Sequence, residues 1–168
     1  MRVELGILYS RHARAIQRFL CDLLGDAALA ADATQETFVR AYSRMGALDD
    51  PGRAGPWLFG IARNVSRELR KARRRAGKAL APVGADGPCA ASPEGALLDR
   101  EAVGVVSAAL ARLSDDRREV LLLRLDHGLA YEQIAQLMGW SLAKVKVEMF
   151  RAREQLREAM QRYEGGAR

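Results

Sequence analysis

Apolar residues recur every three or four positions along most of the chain, a spacing that predicts α-helices rather than strands. The first predicted helix runs from about Leu5 to Leu24. Gly25 and Asp26 then end it, and Asp26 offers a side-chain cap for a second helix. That second helix is expected to turn Tyr42 inward with its smaller apolar residues and to expose polar residues on its outer face.

A third helix is predicted after residues 49–55, whose Asp, Pro and Gly residues favour a loop. Pro56 suits the first turn of that helix, and Trp57 lies on its apolar face. Beyond this helix the apolar periodicity disappears, and Gly and Pro accumulate with small residues between them. We therefore predict a flexible linker over residues 76–96.

Helical periodicity returns after the linker, and neither strand alternation nor an internal repeat is found. The sequence therefore predicts an all-α fold of two small helical domains, residues 1–75 and residues 97–168, joined by the flexible linker. In the second domain, Ser114 is expected to cap a helix that begins with Asp115 and Asp116, where acidic side chains complement the helix dipole.

The most informative segment follows, from Tyr131 onward. A short helix to about Met138, a turn at Gly139 and a long helix from Leu142 form the helix-turn-helix pattern. The long helix has a narrow apolar seam, and its opposite side is basic yet also carries exposed apolar residues. Such a face can meet thymine methyl groups and phosphates in a DNA major groove. Its candidate DNA-contacting residues are Lys144, Lys146, Val147, Phe150, Arg151 and Arg153. A second interpretation is that Phe150 packs on the preceding helix or on a partner.

The charge distribution also favours a polyanionic partner. The formal net charge is +6, and the window from Arg63 to Lys78 alone carries +7, so the rest of the chain sums to −1. Lysines and arginines set against phosphates release counterions and add salt-dependent affinity. The alternative is a solvated helix end that runs into a basic tail.

Composition excludes several classes of protein. Hydrophobic residues are 49% of the chain, which is enough for a packed core, and aromatic residues are only 6%. No apolar run is long enough to span a membrane, and the N-terminus does not resemble a secretory signal. We therefore expect a cytoplasmic protein without membrane insertion.

No constellation of residues indicates an enzyme. His12 and His127 are far apart, and two cysteines are too few for a disulfide framework or a zinc site. The sequence has no Gly-rich phosphate loop and no nucleophile motif. We expect no catalytic residue, no metal and no cofactor.

Long stretches of the chain resemble bacterial extracytoplasmic-function sigma factors, the minimal two-domain branch of the sigma-70 family. The resemblance covers nearly the whole chain outside the linker. It is carried by residues 23–26 with 32–42, by Trp57-Leu58-Phe59-Gly60-Ile61-Ala62-Arg63-Asn64, and by residues 113–124, 128–135 and 145–153. It implies an alternative sigma factor that binds core RNA polymerase and directs promoter-specific transcription initiation.

The resemblance implies contacts with polymerase through the β′ clamp helices and the β flap. The family binds the clamp helices with the exposed face of its second conserved helix. The matching positions are Asp32, Gln35, Glu36 and Arg40. Leu29 and Ala31 depart from the family pattern, because acidic residues are common at those positions.

The resemblance further implies capture of an unstacked non-template base at the −10 element, between the loop at 49–55 and the Trp-bearing helix. The matching DNA-binding positions are Arg53, Arg63, Asn64, Arg67, Arg70 and Lys71. Ala54 and Gly60 depart from the family pattern. Trp57 is interpreted as a core residue, with a stacking role as the alternative.

For the −35 element, the resemblance assigns recognition to the six residues of the helix-turn-helix face given above. Glu148 stands where Arg is common, and it is expected on a flank of the helix, with a modest loss of phosphate attraction. The family is commonly silenced by anti-sigma factors, so we expect such a partner and a monomer when the protein is free. The rival hypothesis is a stand-alone helix-turn-helix regulator that dimerises and binds duplex DNA unaided.

Overall fold

The computed structural model describes residues 4–78 and 100–166, and within these ranges it contains seven α-helices and no strand. The chain divides into two compact units, Met1–Leu80 and Ala81–Arg168, here called unit 1 and unit 2. The all-α prediction is confirmed for the described ranges. Apart from residues 76–78, the predicted linker lies outside them.

Unit 1 is a bundle of three helices, with two short 3₁₀ turns between the second and the third. The helices are α1 (Leu5–Leu24), α2 (Ala27–Ser43) and α3 (Ala54–Arg75). Large α1 side chains fill the core, among them Ile16 and Phe19, which are fully buried. The ring of Phe19 meets Phe59 of α3 edge-on, with centroids 5.3 Å apart. Aromatic rings favour this arrangement.

The predicted junction between the first two helices is confirmed. Gly25 adopts φ 66°, and its N–H donates to the Cys21 carbonyl. Glycine reaches this left-handed region without a Cβ clash. The Asp26 carboxylate accepts a 2.9 Å hydrogen bond from the Leu29 N–H and so caps α2. This tight turn sets α1 and α2 side by side.

The inward orientation predicted for Tyr42 is wrong, because that side chain is 68% exposed. The buried stripe of α2 leaves out this position and consists of Phe38 and small residues, including Thr34 and Thr37. Their hydroxyls donate 2.7 Å hydrogen bonds to the carbonyls of Ala30 and Ala33. Burial therefore leaves neither hydroxyl unsatisfied. Position 42 lies about a third of a turn away from the centre of this stripe.

The loop predicted at 49–55 is shorter in the structure. Pro51–Arg53 forms a 3₁₀ turn, and α3 already begins at Ala54. The Asp50 carboxylate accepts a 2.8 Å hydrogen bond from the Gly52 N–H and caps this turn. Local capping therefore orders a segment that its Gly and Pro content alone marked as irregular.

Unit 2 contains four helices, of which the last is the scaffold for the others. They are α4 (Arg100–Arg112), α5 (Asp115–Leu125), α6 (Tyr131–Met138) and α7 (Leu142–Gly166). The other three pack on α7. Fully buried Leu123, Ile134 and Val145 bring α5, α6 and α7 into one core.

The turns of unit 2 follow the sequence prediction. The Ser114 hydroxyl accepts from the Arg117 N–H at 3.4 Å and caps α5, as expected. Gly139 adopts φ 68° between α6 and α7, which makes the tight turn of the helix-turn-helix. The long helix extends four residues beyond its predicted end near Arg162.

Arg118 fastens the corner between α4 and α5. Its guanidinium donates to the carbonyls of Leu110, Ala111 and Leu113 at 2.9, 3.0 and 3.2 Å. These carbonyls lie at the end of α4, where helical partners run out. The Arg118 side chain is buried, and its guanidinium supplies donors to carbonyls that the end of α4 leaves without helical partners.

Within the described ranges, no helix combines the length and the apolar character that a membrane crossing requires.

Candidate nucleic-acid interface

The helix-turn-helix presents one side of α7 to solvent. The predicted seam is buried at Val145, Met149 and Ala152, each no more than 1% exposed. On the other side Val147 is 46% exposed and Phe150 is 65% exposed. Within the part of unit 2 that the structure describes, Phe150 therefore does not pack on α6, the preceding helix.

The basic side chains predicted for this face are also exposed, namely Lys144, Lys146, Arg151 and Arg153. The Ser141 hydroxyl accepts a 3.2 Å hydrogen bond from the Lys144 N–H and so caps α7. The Lys144 ammonium lies 4.0 Å above the ring of Trp140, close enough for a cation–π interaction. Sequence reasoning missed this role of Trp140, although a spacing of four residues across a helix start could have indicated it.

Glu148 is bound rather than merely turned to a flank. Its carboxylate accepts from the guanidinium of Arg117 on α5 at 2.6 Å and from Arg151 at 3.0 Å, and its side chain is only 16% exposed. The acid therefore ties α7 to α5. It also places a negative charge beside Arg151, one of the predicted DNA-contacting residues.

Lowering the pH should reduce the stability of unit 2, because it protonates the Glu148 carboxylate. The hydrogen bond from Arg117 holds the pKa of Glu148 below its ordinary value of 4.5. Stabilisation by the ion pair is therefore complete above the unfolded-state pKa and is lost as the pH falls through the lower folded-state pKa. Thermal unfolding of wild type and Glu148→Gln from neutral pH to about 3 should show the stability difference between them shrinking. A constant difference over that range would contradict this role.

The residues predicted for the −10 element divide into two groups. Arg53, Asn64, Arg67 and Lys71 are exposed, whereas Arg63 and Arg70 are buried at 7% and 2% exposure. Arg70 lies against Ser66, whose carbonyl accepts from its Nε at 3.4 Å. Their place inside unit 1 makes these two arginines supports of α3 in this conformation rather than surface contacts.

The two α3 residues that depart from the family pattern, Ala54 and Gly60, are also wholly or partly buried in unit 1. Ala54 is 1% exposed, and Gly60 is half-buried. Trp57 is half-buried, so the structure leaves both interpretations of that ring open. Gly55 lies against α1, since a Cβ built on it would be 3.5 Å from Cε1 of His12.

The outer face of α2 carries the residues predicted to bind polymerase, and Asp32, Gln35 and Glu36 are exposed there. Two apolar side chains extend the same face: Val39 is 63% exposed and Tyr42 is 68% exposed. Sequence reasoning missed them as surface residues. The signal was present for Val39, because it lies seven positions after Asp32 and hence on the same side of the helix.

Arg40 is held in place by two carboxylates. Its Nε donates to Glu36 at 2.7 Å, and its two terminal nitrogens donate to both oxygens of Glu68 on α3 at 2.9 and 2.8 Å. The hydrogen bond to Glu68, and after it the one to Glu36, raises the pKa of Arg40 above its ordinary value. The hydrogen bond from Arg40 in turn lowers the pKa of Glu68. The bidentate pair crosses a groove of about 500 Å³ between α2 and α3.

No cluster of three metal-binding side chains occurs among residues 4–78 and 100–166. The candidate surfaces of the described chain are exposed helix faces. They bear positive charge and apolar groups on α7, positive charge on α3, and acidic and apolar groups on α2.

Family comparisons match both units. The Sigma-70 region 2 family matches residues 8–76, and the Sigma-70, region 4 family matches residues 104–156. Together the two matches cover more than half of the chain and nearly all of its described helices.

Curated relatives point the same way. The chain is 30% identical over 153 residues to the RNA polymerase sigma factor CarQ of Myxococcus xanthus, covering 91% of this chain and 87% of CarQ. It is 33% identical to the ECF RNA polymerase sigma factor SigL of Mycobacterium tuberculosis H37Rv, covering 92% of this chain and 87% of SigL. The protein named probable RNA polymerase sigma factor RfaY, of Xanthomonas campestris, is 39% identical, and the chain spans only 37% of its length.

Two solved structures share the fold. One is the sigma factor RpoE in complex with the anti-sigma factor NepR from Bartonella quintana, with a TM-score of 0.73, 26% identity and coverage of 91% of this chain and 94% of that one. The other is CnrH in complex with the cytosolic domain of CnrY, with a TM-score of 0.68, 26% identity and coverage of 94% and 87%.

Proposed function

Because this chain belongs to the extracytoplasmic-function branch of the sigma-70 family, we propose that it binds core RNA polymerase and directs it to promoters with −10 and −35 elements. The main support for DNA binding is the outer face of α7. Phe150 is 65% exposed there among lysines and arginines, on the second helix of a helix-turn-helix. The protein supplies recognition, and the polymerase supplies the chemistry of RNA synthesis.

At the −35 element, α7 enters the major groove of duplex DNA. Val147 and Phe150 offer apolar contacts to thymine methyl groups, while Lys144 and Lys146 reach base acceptors or phosphates. Arg151 and Arg153 contribute further positive charge. Glu148 lowers that charge by one and holds the angle of α7 against α5.

At the −10 element, the exposed side of α3 holds the displaced strand. Arg53, Arg67 and Lys71 attract phosphates, and Asn64 offers an amide to a flipped base. Capture of a base costs a few kcal/mol of stacking, so several such contacts are needed to compensate. Arg63 and Arg70 act from inside unit 1 by supporting α3.

Core polymerase binds the outer face of α2. Asp32, Gln35 and Glu36 provide the polar part of this surface, and the exposed Val39 and Tyr42 provide the apolar part that gains most from burial. Arg40 contributes by fixing α2 on α3 through Glu68 rather than by reaching outward. The β flap binds unit 2.

An anti-sigma factor regulates the protein by covering these surfaces. Support comes from the two solved structures of similar fold, since one is a complex of a sigma factor with an anti-sigma factor and the other is a complex with the cytosolic domain of CnrY. In the absence of such a partner we expect the free chain to be a monomer.

Run-off transcription tests the proposed function directly. Purified bacterial core polymerase is incubated with the DNA upstream of the chain's own gene, with and without the protein. We expect initiation at one defined start only when the protein is added. The start point also locates the −10 and −35 sequences.

A core-binding variant sharpens this experiment. Asp32→Arg/Tyr42→Ala alters two exposed side chains, so the fold should persist while co-elution with core polymerase and initiation are both lost. Conversely, wild-type protein that neither co-elutes with core nor initiates, yet binds duplex DNA unaided as a dimer, would favour the rival stand-alone regulator.

A further inference from the structure

The groove between α2 and α3 offers an apolar surface that the proposed function does not use. It has a volume of about 500 Å³, and both helices line it. Its apolar lining residues are Leu29 and Ala33 of α2 and Val65, Leu69 and Ala72 of α3. Ala33 and Val65 are buried, Leu29 and Leu69 are half-buried, and Ala72 is exposed. We call this surface the α2–α3 groove.

The rim of the α2–α3 groove is acidic. Asp32 and Glu36 of α2 and Glu68 of α3 line it, and all three residues are exposed. Arg40 is the one basic residue among the lining residues that the structure describes, so three carboxylates and one guanidinium leave a charge of −2. Within residues 4–78 and 100–166, no basic side chain forms an ion pair with Asp32. The rim therefore attracts a cationic side chain.

The two walls of the groove are fixed before any partner binds. Arg40 donates to both carboxylate oxygens of Glu68 on the opposite wall and to Glu36 on its own helix. A bidentate pair of a guanidinium and a carboxylate sets both the distance and the orientation of the helices that carry it. Because these walls do not have to be ordered on binding, a partner loses less free energy here than on a mobile surface.

Helix α3 turns different sides to the groove and to the proposed −10 surface. The groove takes Val65, Leu69 and Ala72, whereas the proposed −10 contacts on this helix are Asn64, Arg67 and Lys71. At 3.6 residues per turn, the two sets are centred about a third of a turn apart. A partner in the groove therefore leaves the −10 side of α3 accessible to DNA.

We propose that the α2–α3 groove receives an amphipathic helix of core polymerase, with apolar side chains against Leu29 and Leu69 and an arginine or lysine at the acidic rim. Continuity with the proposed core-binding surface favours this occupant, because Asp32 and Glu36 belong to both. Helix α3 thereby becomes a second wall beside the outer face of α2, and the same contact orients the −10 side of α3 relative to the polymerase. This proposal rests on the proposed function, since core polymerase is the partner.

Opposite charges at position 72 test the groove. Ala72 is exposed on α3, and lysine and glutamate both favour helices, so Ala72→Lys and Ala72→Glu should keep the fold. Each full-length variant competes with fluorescently labelled wild type for purified core polymerase, without DNA, so that the new charge meets no phosphate. We expect Ala72→Lys to bind core about tenfold more weakly, because it repels the incoming cation. Ala72→Glu should bind about threefold more tightly.

Ala47→Lys and Ala47→Glu are the matched controls, because Ala47 is an exposed alanine of unit 1 that does not line the groove, and both should bind core as wild type does. Equal affinities of wild type and the two Ala72 variants would overturn the groove proposal alone and leave the groove to another partner, such as an anti-sigma factor. Changes of the same sign in both Ala72 variants would also overturn it, because charge would then not decide binding. Failure of wild type to bind core would instead overturn the proposed function.

Discussion

Replacing Lys146 and Phe150 with alanine together should lower transcription from a −35-dependent promoter about 100-fold. Each side chain is exposed on the outer face of α7. A specific contact of this kind contributes about 1–3 kcal/mol, and a value near the lower end of that range is roughly tenfold for each residue. The two residues lie one turn apart and are close enough to couple, so the two single variants are measured beside the double variant in a double-mutant cycle.

The measurement is initiation by holoenzyme at a promoter with an intact −35 element and at the same promoter with that element scrambled. The variant should lose activity at the first promoter and equal wild type at the second. Arg157→Ala is the control, because it removes a charge from α7 further along the helix, where the Arg157 side chain is 64% exposed. Loss of core polymerase binding by the double variant would contradict the assignment of this face to DNA.

Arg118→Ala should produce the largest loss of stability of any single substitution considered for unit 2. The change leaves the carbonyls of Leu110, Ala111 and Leu113 without their guanidinium donor at a corner that is partly buried. Removal of one partner from a buried charged hydrogen-bonding group costs on the order of 3 kcal/mol. Packing around the aliphatic stem is lost as well.

Hydrogen exchange of the full chain measures this loss one amide at a time. Protection of the α4 and α5 amides should fall by about 100-fold, at about 1.4 kcal/mol for each factor of ten, while amides of α1 to α3 stay as in wild type. Arg118→Lys should lie between the two, since an ammonium cannot reach three carbonyls at once. Arg112→Ala removes an exposed arginine of α4 and should change protection little. Equal protection in Arg118→Ala and wild type would contradict the role of the corner.

Much of the helical architecture could be predicted because its signals are local. Asp26, Ser114 and Ser141 cap the helices that follow them, and Gly25 and Gly139 make the tight turns before α2 and α7. Each such signal acts through hydrogen bonds over three or four residues, which the sequence displays directly.

The wrong prediction that the Tyr42 side chain points inward shows where hydrophobic periodicity misleads. Hydrophobicity alone ranks an aromatic residue above threonine for burial, yet Thr34 and Thr37 are buried because their hydroxyls bond to carbonyls one turn earlier. Small residues also let α2 approach its neighbours closely. The exposed Tyr42 side chain therefore raises the free energy of the free protein, and its burial by polymerase at this proposed surface would lower that free energy.

The roles of the charged site residues could not be predicted, because their partners lie far away in sequence. Arg40 binds Glu68 across 28 residues, and Glu148 binds Arg117 across 31. The periodicity places both residues on the outer side of their helices, yet the side chains of Arg40 and Glu148 are only 28% and 16% exposed. Only the three-dimensional packing reveals that each of them joins two helices.

The position of Lys144 over Trp140 has an optical consequence. The ammonium lies 4.0 Å from the centre of the indole ring, so any phosphate that draws the lysine away changes the electric field at the fluorophore. The chain has two tryptophans, and the other, Trp57, belongs to unit 1. Each unit therefore carries one intrinsic chromophore beside its proposed DNA-reading surface, and occupancy of the −35 and −10 elements can be followed separately by emission from single-tryptophan proteins without any attached dye.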